Sequence, residues 1–207
     1  MAIKVAVNRA LTAITALPTA AALTDGNFTL LTTATASSSA TLDFTSNIDS
    51  TYDSYLFKFI DIHPATDDVI LAFQADTGTN TNYNLTVIST FFSARHGENG
   101  SGESVSYTTN RDQALGTGDI KLNYDVGNGN DESVSGELYL FAPSSSVFIK
   151  HFMARTSNYG QDNAAGDSYK AGYFNTTTAI TRVRFKMTSG NIDSGTIKMY
   201  GVGDKQS

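Results

Sequence analysis

The chain has 207 residues and a formal net charge of −6. Its acidic balance, with no cluster of Lys and Arg, excludes nucleic acid and anionic lipid as expected partners. No apolar run approaches the roughly 20 residues that span a bilayer, so we predict no membrane insertion. Because the chain has no cysteine, disulfides, thiol nucleophiles and thiolate zinc sites are also excluded.

The first 27 residues differ from the rest and form a predicted N-terminal docking arm. Apolar residues fall at alternating spacings of four and three, which makes a stripe on one face of a helix that ends at Pro18. Alternation in the first seven residues leaves a short strand as the alternative. The predicted partner-binding residues of the arm are Ile3, Val7, Ala10, Ile14 and Leu17.

Residues 28–207 are predicted to form one all-β domain. Short segments rich in Val, Ile, Phe, Tyr and Thr alternate with connectors rich in Gly, Asn and Ser, among them residues 158–167. Residues 55–62 are apolar on both faces and predict a central strand covered on both sides. The pattern is typical of antiparallel sheets packed as a β-sandwich or jelly roll.

Residues 181–187 give the firmest register prediction. Val183, Phe185 and Met187 should face the core, and the cations that alternate with them, Arg182, Arg184 and Lys186, should face solvent. A slip of one residue would bury those cations, at a cost of several kcal/mol each if unpaired.

No catalytic motif is present, and we predict that the chain is not an enzyme. His63, His96 and His151 have no metal-ligand spacing, and no nucleophile elbow or phosphate-binding loop occurs. A sugar-active or carbohydrate-binding domain is the alternative function, because two carboxylates that face each other across a cleft cannot be identified from sequence.

No cofactor is predicted, although two loops leave calcium open as an alternative. Residues 76–82 and 125–132 are rich in side-chain oxygens, the ligands that hard cations prefer. Neither loop has the spacing of an EF-hand. Most tyrosines are expected to pack at the edges of the core. Tyr107 and Tyr159 flank polar loops and are the candidates for surface recognition.

Four segments together resemble a β-sandwich module of structural proteins from tailed bacteriophages, particularly marine phages. They are residues 44–52 (FTSNIDSTY), 59–67 (FIDIHPATD), 171–177 (AGYFNTT) and 185–201 (FKMTSGNIDSGTIKMYG). Such modules occur in virion, appendage and tail-fibre proteins. The resemblance carries no catalytic residue.

The resemblance implies a virion structural protein at the surface of the particle. Because only the arm precedes the module, a compact decoration or knob protein anchored through that arm is expected. The receptor-binding tip of a short tail fibre is the alternative. The implied partners are other virion proteins of the capsid or tail, further copies in a homo-oligomer such as a trimer, and a host surface glycan or protein.

Overall fold

A computed structural model describes residues 28–203, and all of its regular structure is β. Every paired strand runs antiparallel to its neighbour, and no helix occurs among these residues. The chain is therefore an all-β protein, as the sequence predicted. The predicted arm, residues 1–27, lies outside the described residues.

Thirteen strands follow one another along the described chain. They are β1 (Phe28–Thr35), β2 (Leu42–Phe44), β3 (Ser54–Pro64), β4 (Leu71–Thr77), β5 (Val87–Gly97), β6 (Ser104–Tyr107), β7 (Gln113–Gly116), β8 (Ile120–Lys121), β9 (Val134–Phe141), β10 (Lys150–Gly160), β11 (Ala164–Phe174), β12 (Ile180–Met187) and β13 (Ile192–Val202).

The strands form two sheets that pack as a β-sandwich. The large sheet has the order β1-β13-β3-β9-β10-β11-β5-β6, with β7 also paired to β5. The small sheet has the order β2-β12-β4-β8 and covers one face of the large sheet. Because only one small sheet is available, the opposite face of the large sheet has no second layer among residues 28–203.

Phenylalanine side chains from both sheets fill the space between them. Phe185 of the small sheet lies 5.3 Å from both Phe57 and Phe59 of the large sheet, measured between ring centroids. Phe73 lies 5.2 Å from Phe152 in an edge-to-face arrangement. Each ring is at most 2% exposed, and burying one contributes about 2–3 kcal/mol. This burial holds together a chain that has no disulfides.

Strand β12 has the register that its alternation predicts. Val183, Phe185 and Met187 are buried, and the cations that alternate with them, Arg182, Arg184 and Lys186, are half-exposed. Arg184 donates Nε and Nη2 to Asp43 at 2.8 and 2.6 Å, and its guanidinium lies 3.9 Å from the ring centroid of Tyr83. The outward cations are therefore paired rather than merely solvated.

The interior is polar where the small sheet does not reach β10, β11 and β5. Here residues 108–126 cover the large sheet and provide partners for its inward polar groups. Lys170 Nζ donates to the Arg111 carbonyl at 2.5 Å, and Thr156 Oγ1 donates to the Leu122 carbonyl at 2.9 Å. The Arg111 guanidinium is held by both carboxylate oxygens of Asp125 at 2.9 and 3.0 Å.

Two sequence expectations about individual elements were wrong. Residues 158–167 are mostly strand, because β10 runs to Gly160 and β11 begins at Ala164. Some of their inward polar groups bond to the covering segment, for example where Asn158 Nδ2 donates to the Asp125 carbonyl at 2.8 Å. Strand β3 is not covered along its whole outward face, since Ile60 is 40% exposed there, although Leu56 is buried.

Candidate functional site: the outward face of the large sheet

The outward face of the large sheet is the face turned away from the small sheet. Strand β10 shows the division most clearly, because Phe152 and Ala154 are buried and Met153, Arg155 and Ser157 are exposed. The strand registers arrange such outward residues in rows that cross the sheet. These rows divide the face into an apolar half and a polar half.

The apolar half is built on one unbroken row across seven strands. In sheet order the row contains Leu30, Tyr200, Leu56, Tyr139, Met153, Ala171 and Thr90. It includes no charged residue, although it lies on the side of the sheet with no second layer. Met153 at its centre is 56% exposed. An apolar surface of this extent is typical of a contact site.

A second set of outward residues borders this row at the end of the sheet where the described chain begins. It contains Phe28, Val202, Ser54, Phe141, His151, Tyr173 and Ile88. Phe28 packs edge-on against Tyr200 at 6.4 Å, and Tyr139 stacks on Phe141 at 6.0 Å. A shallow depression of about 440 Å³ opens at Gly172 between Ile88 and Met153.

The loop between β9 and β10 lies at the same end of the strands as the apolar half. Val147 and Phe148 in this loop are 70% and 71% exposed. We call the apolar half together with residues 142–149 the apolar end of the molecule. Six large apolar side chains are exposed there: Phe28, Leu30, Phe141, Val147, Phe148 and Met153.

The polar half begins with the next row. In sheet order this row contains Thr33, Lys198, Lys58, Glu137, Arg155, Tyr169, Phe92 and Tyr107. Charged residues of both signs occupy its centre, and aromatic residues occupy the side nearest β6. A depression of about 660 Å³ lies beside the charged centre, with Ile60, Ser135 and Asp167 in its wall.

An ordered stack of side chains joins the charged and aromatic parts of that row. Phe92 and Tyr169 stack at 4.8 Å with an angle of 4° between the rings, and the Arg155 guanidinium lies 5.0 Å from the Tyr169 centroid. Arg155 donates two hydrogen bonds to Asp167, at 3.0 and 2.8 Å. These bonds lower the pKa of Asp167 and raise the pKa of Arg155.

The two tyrosines predicted for surface recognition both lie on the outward face but do not share a site. Tyr107 is on the edge strand β6, 53% exposed, and its hydroxyl donates to Asp112 at 2.5 Å, which raises its pKa. Tyr159 is half-buried on β10, and its hydroxyl donates to Asn163 at 3.0 Å. Strands β11 and β5 separate them.

The other predicted site residues divide by location. The arm residues Ile3, Val7, Ala10, Ile14 and Leu17 lie outside the described residues, so their role stays a prediction.

Asp76, in the first oxygen-rich loop, accepts hydrogen bonds from the backbone N–H groups of Thr77 and Tyr83 at 2.8 and 2.7 Å. Within residues 28–203 no three acidic, His or Cys side chains converge on a metal-sized site. Calcium therefore stays an alternative to the prediction of no cofactor.

Sequence reasoning missed the apolar half, although β3 carried a signal of it. Leu56, Ile60 and Ile62 alternate with core residues and were interpreted as a second covered face. Leu56 is indeed buried, with Tyr139 and Tyr200 of the same sheet as its cross-strand neighbours, whereas Ile60 is 40% exposed. Which outward residues are covered depends on strand order and register, which a single sequence does not contain.

Comparison with protein-family models, with curated proteins and with solved structures finds no match for this chain. Among residues 28–203, no helix is long and apolar enough to cross a membrane.

Proposed function

We propose that the chain is a non-catalytic structural module of a bacteriophage particle, displayed at the particle surface and joined to it through the apolar end. The observation that carries the proposal is the coincidence of two features at one end of the molecule. Strand β1, which follows the predicted arm in the sequence, begins there at Phe28, and six exposed large apolar side chains lie there. The sequence resemblance to virion proteins supports the choice of particle.

The opposite half of the outward face suits exposure to solvent or to a host surface. Its central row carries Lys58, Glu137 and Arg155, and the Arg155–Asp167 pair is held in fixed geometry. A protein anchored by its apolar end would present this polar half away from the particle. Many copies on one particle would raise the overall affinity of a weak contact by a factor of roughly 10²–10⁴, so no deep pocket is needed.

A pair of matched variants in the full chain tests the anchoring surface. Phe148→Glu places a charge at the apolar end, and Val105→Glu places the same charge on β6 in the polar half. The two side chains are similarly exposed, at 71% and 78%. We expect Phe148→Glu to lower incorporation into particles at least about tenfold, since a charge in an apolar contact costs more than 1.4 kcal/mol.

Incorporation is measured as the amount of each variant that co-purifies with intact particles. Val105→Glu should match the unmodified chain. Equal incorporation of both variants would contradict anchoring through the apolar end. Thermal unfolding of each purified variant shows whether the substitution disturbed the fold instead.

A further inference from the structure

We infer that the polar half of the outward face carries a binding site for a neutral oligosaccharide. The site is a trough over the short side chains of Ser135, Ser157 and Ala165, and we call it the polar trough. The inference deepens the proposed function and rests on it for its setting, because a module anchored by its apolar end would turn this trough towards a host surface.

The first argument is the shape of the trough. Depressions of about 660, 390 and 230 Å³ adjoin one another, because Ser157 lines all three. Ser157 lies between Ser135 on β9 and Asp167 on β11, and between the longer side chains of Arg155 and Tyr159 on its own face of β10. The largest depression alone falls within the range of roughly 300–1,000 Å³ that is typical of small-molecule sites.

The second argument is that a β-bulge builds the wall of the trough at β3. Ile60 and Asp61 together face the single residue Ser135, because the β3–β9 register shifts between Phe59 and Ile62. Asp61 has a φ of 49°, in the left-handed region that favours glycine. Its N–H donates to Ser135 Oγ at 3.0 Å, and that hydroxyl donates to Asp61 Oδ1 at 3.3 Å. Bulges and left-handed residues are concentrated beside functional sites, where they redirect side chains.

The third argument is the balance of charge, which selects the class of ligand. The trough is lined by two cations, Lys58 and Arg155, and by two carboxylates, Glu137 and Asp167. An anionic ligand would meet both carboxylates and a cationic ligand would meet both cations, so neither sign is favoured. A neutral ligand with many hydroxyl groups can donate to the carboxylates and accept from the cations and the serine hydroxyls. A saccharide has this chemistry, whereas a protein contact usually centres on exposed aromatic anchors.

The fourth argument is that the polar groups of the trough are already held in place. Arg155 donates two hydrogen bonds to Asp167 and lies over the Tyr169 ring, whose hydroxyl donates to Asp167 Oδ2 at 3.2 Å. Tyr159 lines the trough, and its bond to Asn163 holds its ring. Groups that are fixed before binding lose little conformational entropy. The Tyr159 ring also offers an apolar surface to the C–H face of a sugar.

Binding of the purified full chain to an array of printed oligosaccharides, neutral and acidic, tests the inference. The chain is clustered on streptavidin through a C-terminal biotin, so that several weak contacts act together. Ser157→Tyr fills the floor of the trough. Met153→Tyr is the matched control, because Met153 is exposed on the same strand and face but lies in the apolar half.

We expect the unmodified chain to bind neutral oligosaccharides and Ser157→Tyr to lower that binding at least about tenfold, because the added ring clashes with the ligand. Met153→Tyr should leave the binding unchanged. If thermal unfolding shows that Ser157→Tyr disturbs the fold, Glu137→Ala replaces it. That variant removes one hydrogen-bonding wall without adding bulk, and it should lower the binding in the same way.

Silence of the whole array, binding of acidic glycans alone, or equal binding by the trough variant and Met153→Tyr would overturn the inference. A protein partner is the other outcome that would overturn it. The sign of such a partner is binding to bacterial host cells that persists after periodate has oxidised their glycans and that Ser157→Tyr removes.

The array involves no particles. Its failure therefore removes the saccharide site and leaves anchoring through the apolar end intact. Failure of the Phe148→Glu test removes the anchoring surface and leaves the saccharide site intact.

Discussion

The side chain of Lys170 is buried beneath the large sheet, and its hydrogen-bond acceptor is a backbone carbonyl rather than a carboxylate. It is 2% exposed, its ammonium donates to the Arg111 carbonyl, and it lies 5.7 Å from the ring centroid of Phe91. Burial favours the neutral amine and lowers the pKa of Lys170 to about 8. Lys150, also buried, has its pKa lowered for the same reason.

The lowered pKa of Lys170 predicts a rise in stability with pH. Between about pH 8 and 10.5 the unfolded chain retains a proton that folded Lys170 has lost, so the free energy of unfolding increases across that window. Below pH 8 both states hold the proton and the Lys170 contribution to the slope vanishes. From pH 7.5 to 10 the Lys170 contribution should be about 2 kcal/mol.

Urea unfolding at several pH values between 7.5 and 10 measures this effect. Lys170→Met should show a rise smaller than that of the unmodified chain by the amount given above. Lys58→Met, which changes an exposed lysine on the outward face, is the control and should keep the original slope. A Lys170→Met protein with an unaltered slope would contradict the assignment.

At the scale of elements, the close approach of β9 to β10 depends on one glycine. A Cβ at Gly136 would lie 2.3 Å from the Arg155 carbonyl oxygen and 2.8 Å from Thr156 Cα, both backbone atoms of β10. Neither can move without displacing the strand. This approach lies in the floor of the polar depression, so the shape of that depression depends on Gly136.

Gly136→Ala should therefore lower the free energy of unfolding by about 1–3 kcal/mol through overpacking. Gly118→Ala is the matched control, because a Cβ there meets nothing within 4 Å, and it should stay within about 0.5 kcal/mol. Denaturant titration of both variants decides the matter. If the two variants were equally stable, β10 would be able to move away from the added methyl group, which would contradict the prediction.

A strand could be predicted well where its inward face was apolar and its outward face was charged or polar. Strand β12 alternates apolar and cationic residues, which defines both its type and its register, and both were confirmed. The connector predicted at residues 158–167 was wrong because the inward face of the β10–β11 hairpin is polar there. Ser168 and Asn158 bond to residues 108–126, which a local pattern does not reveal.

The candidate site was less predictable than the fold because it is assembled from seven strands. Met153 and Tyr139 are neighbours through the β9–β10 register, and Tyr139 meets Leu56 through the β3–β9 register. Each strand contributes only one residue to the apolar row, so no strand has an unusual composition by itself. Tyr107 and Tyr159 were found because they flank loops, and they lie apart on the face.

For the whole molecule, the two ends differ in chemistry. The apolar end carries Met153, Phe141 and the exposed Phe148, while the polar half carries charges of both signs at its centre. The chain as a whole is acidic, with a net charge of −6, which favours solubility of the surface left in solvent. A module with this polarity is suited to join an assembly by one end.

A cryo-electron microscopy map of a phage particle that carries this chain tests the central claim most directly. The account predicts density for the β-sandwich with the apolar end, including Phe28 and Phe148, in contact with a particle protein or a neighbouring copy. It also predicts the row from Lys58 to Arg155 open to solvent. A map in which the apolar end faces solvent while the polar half contacts the particle would contradict it.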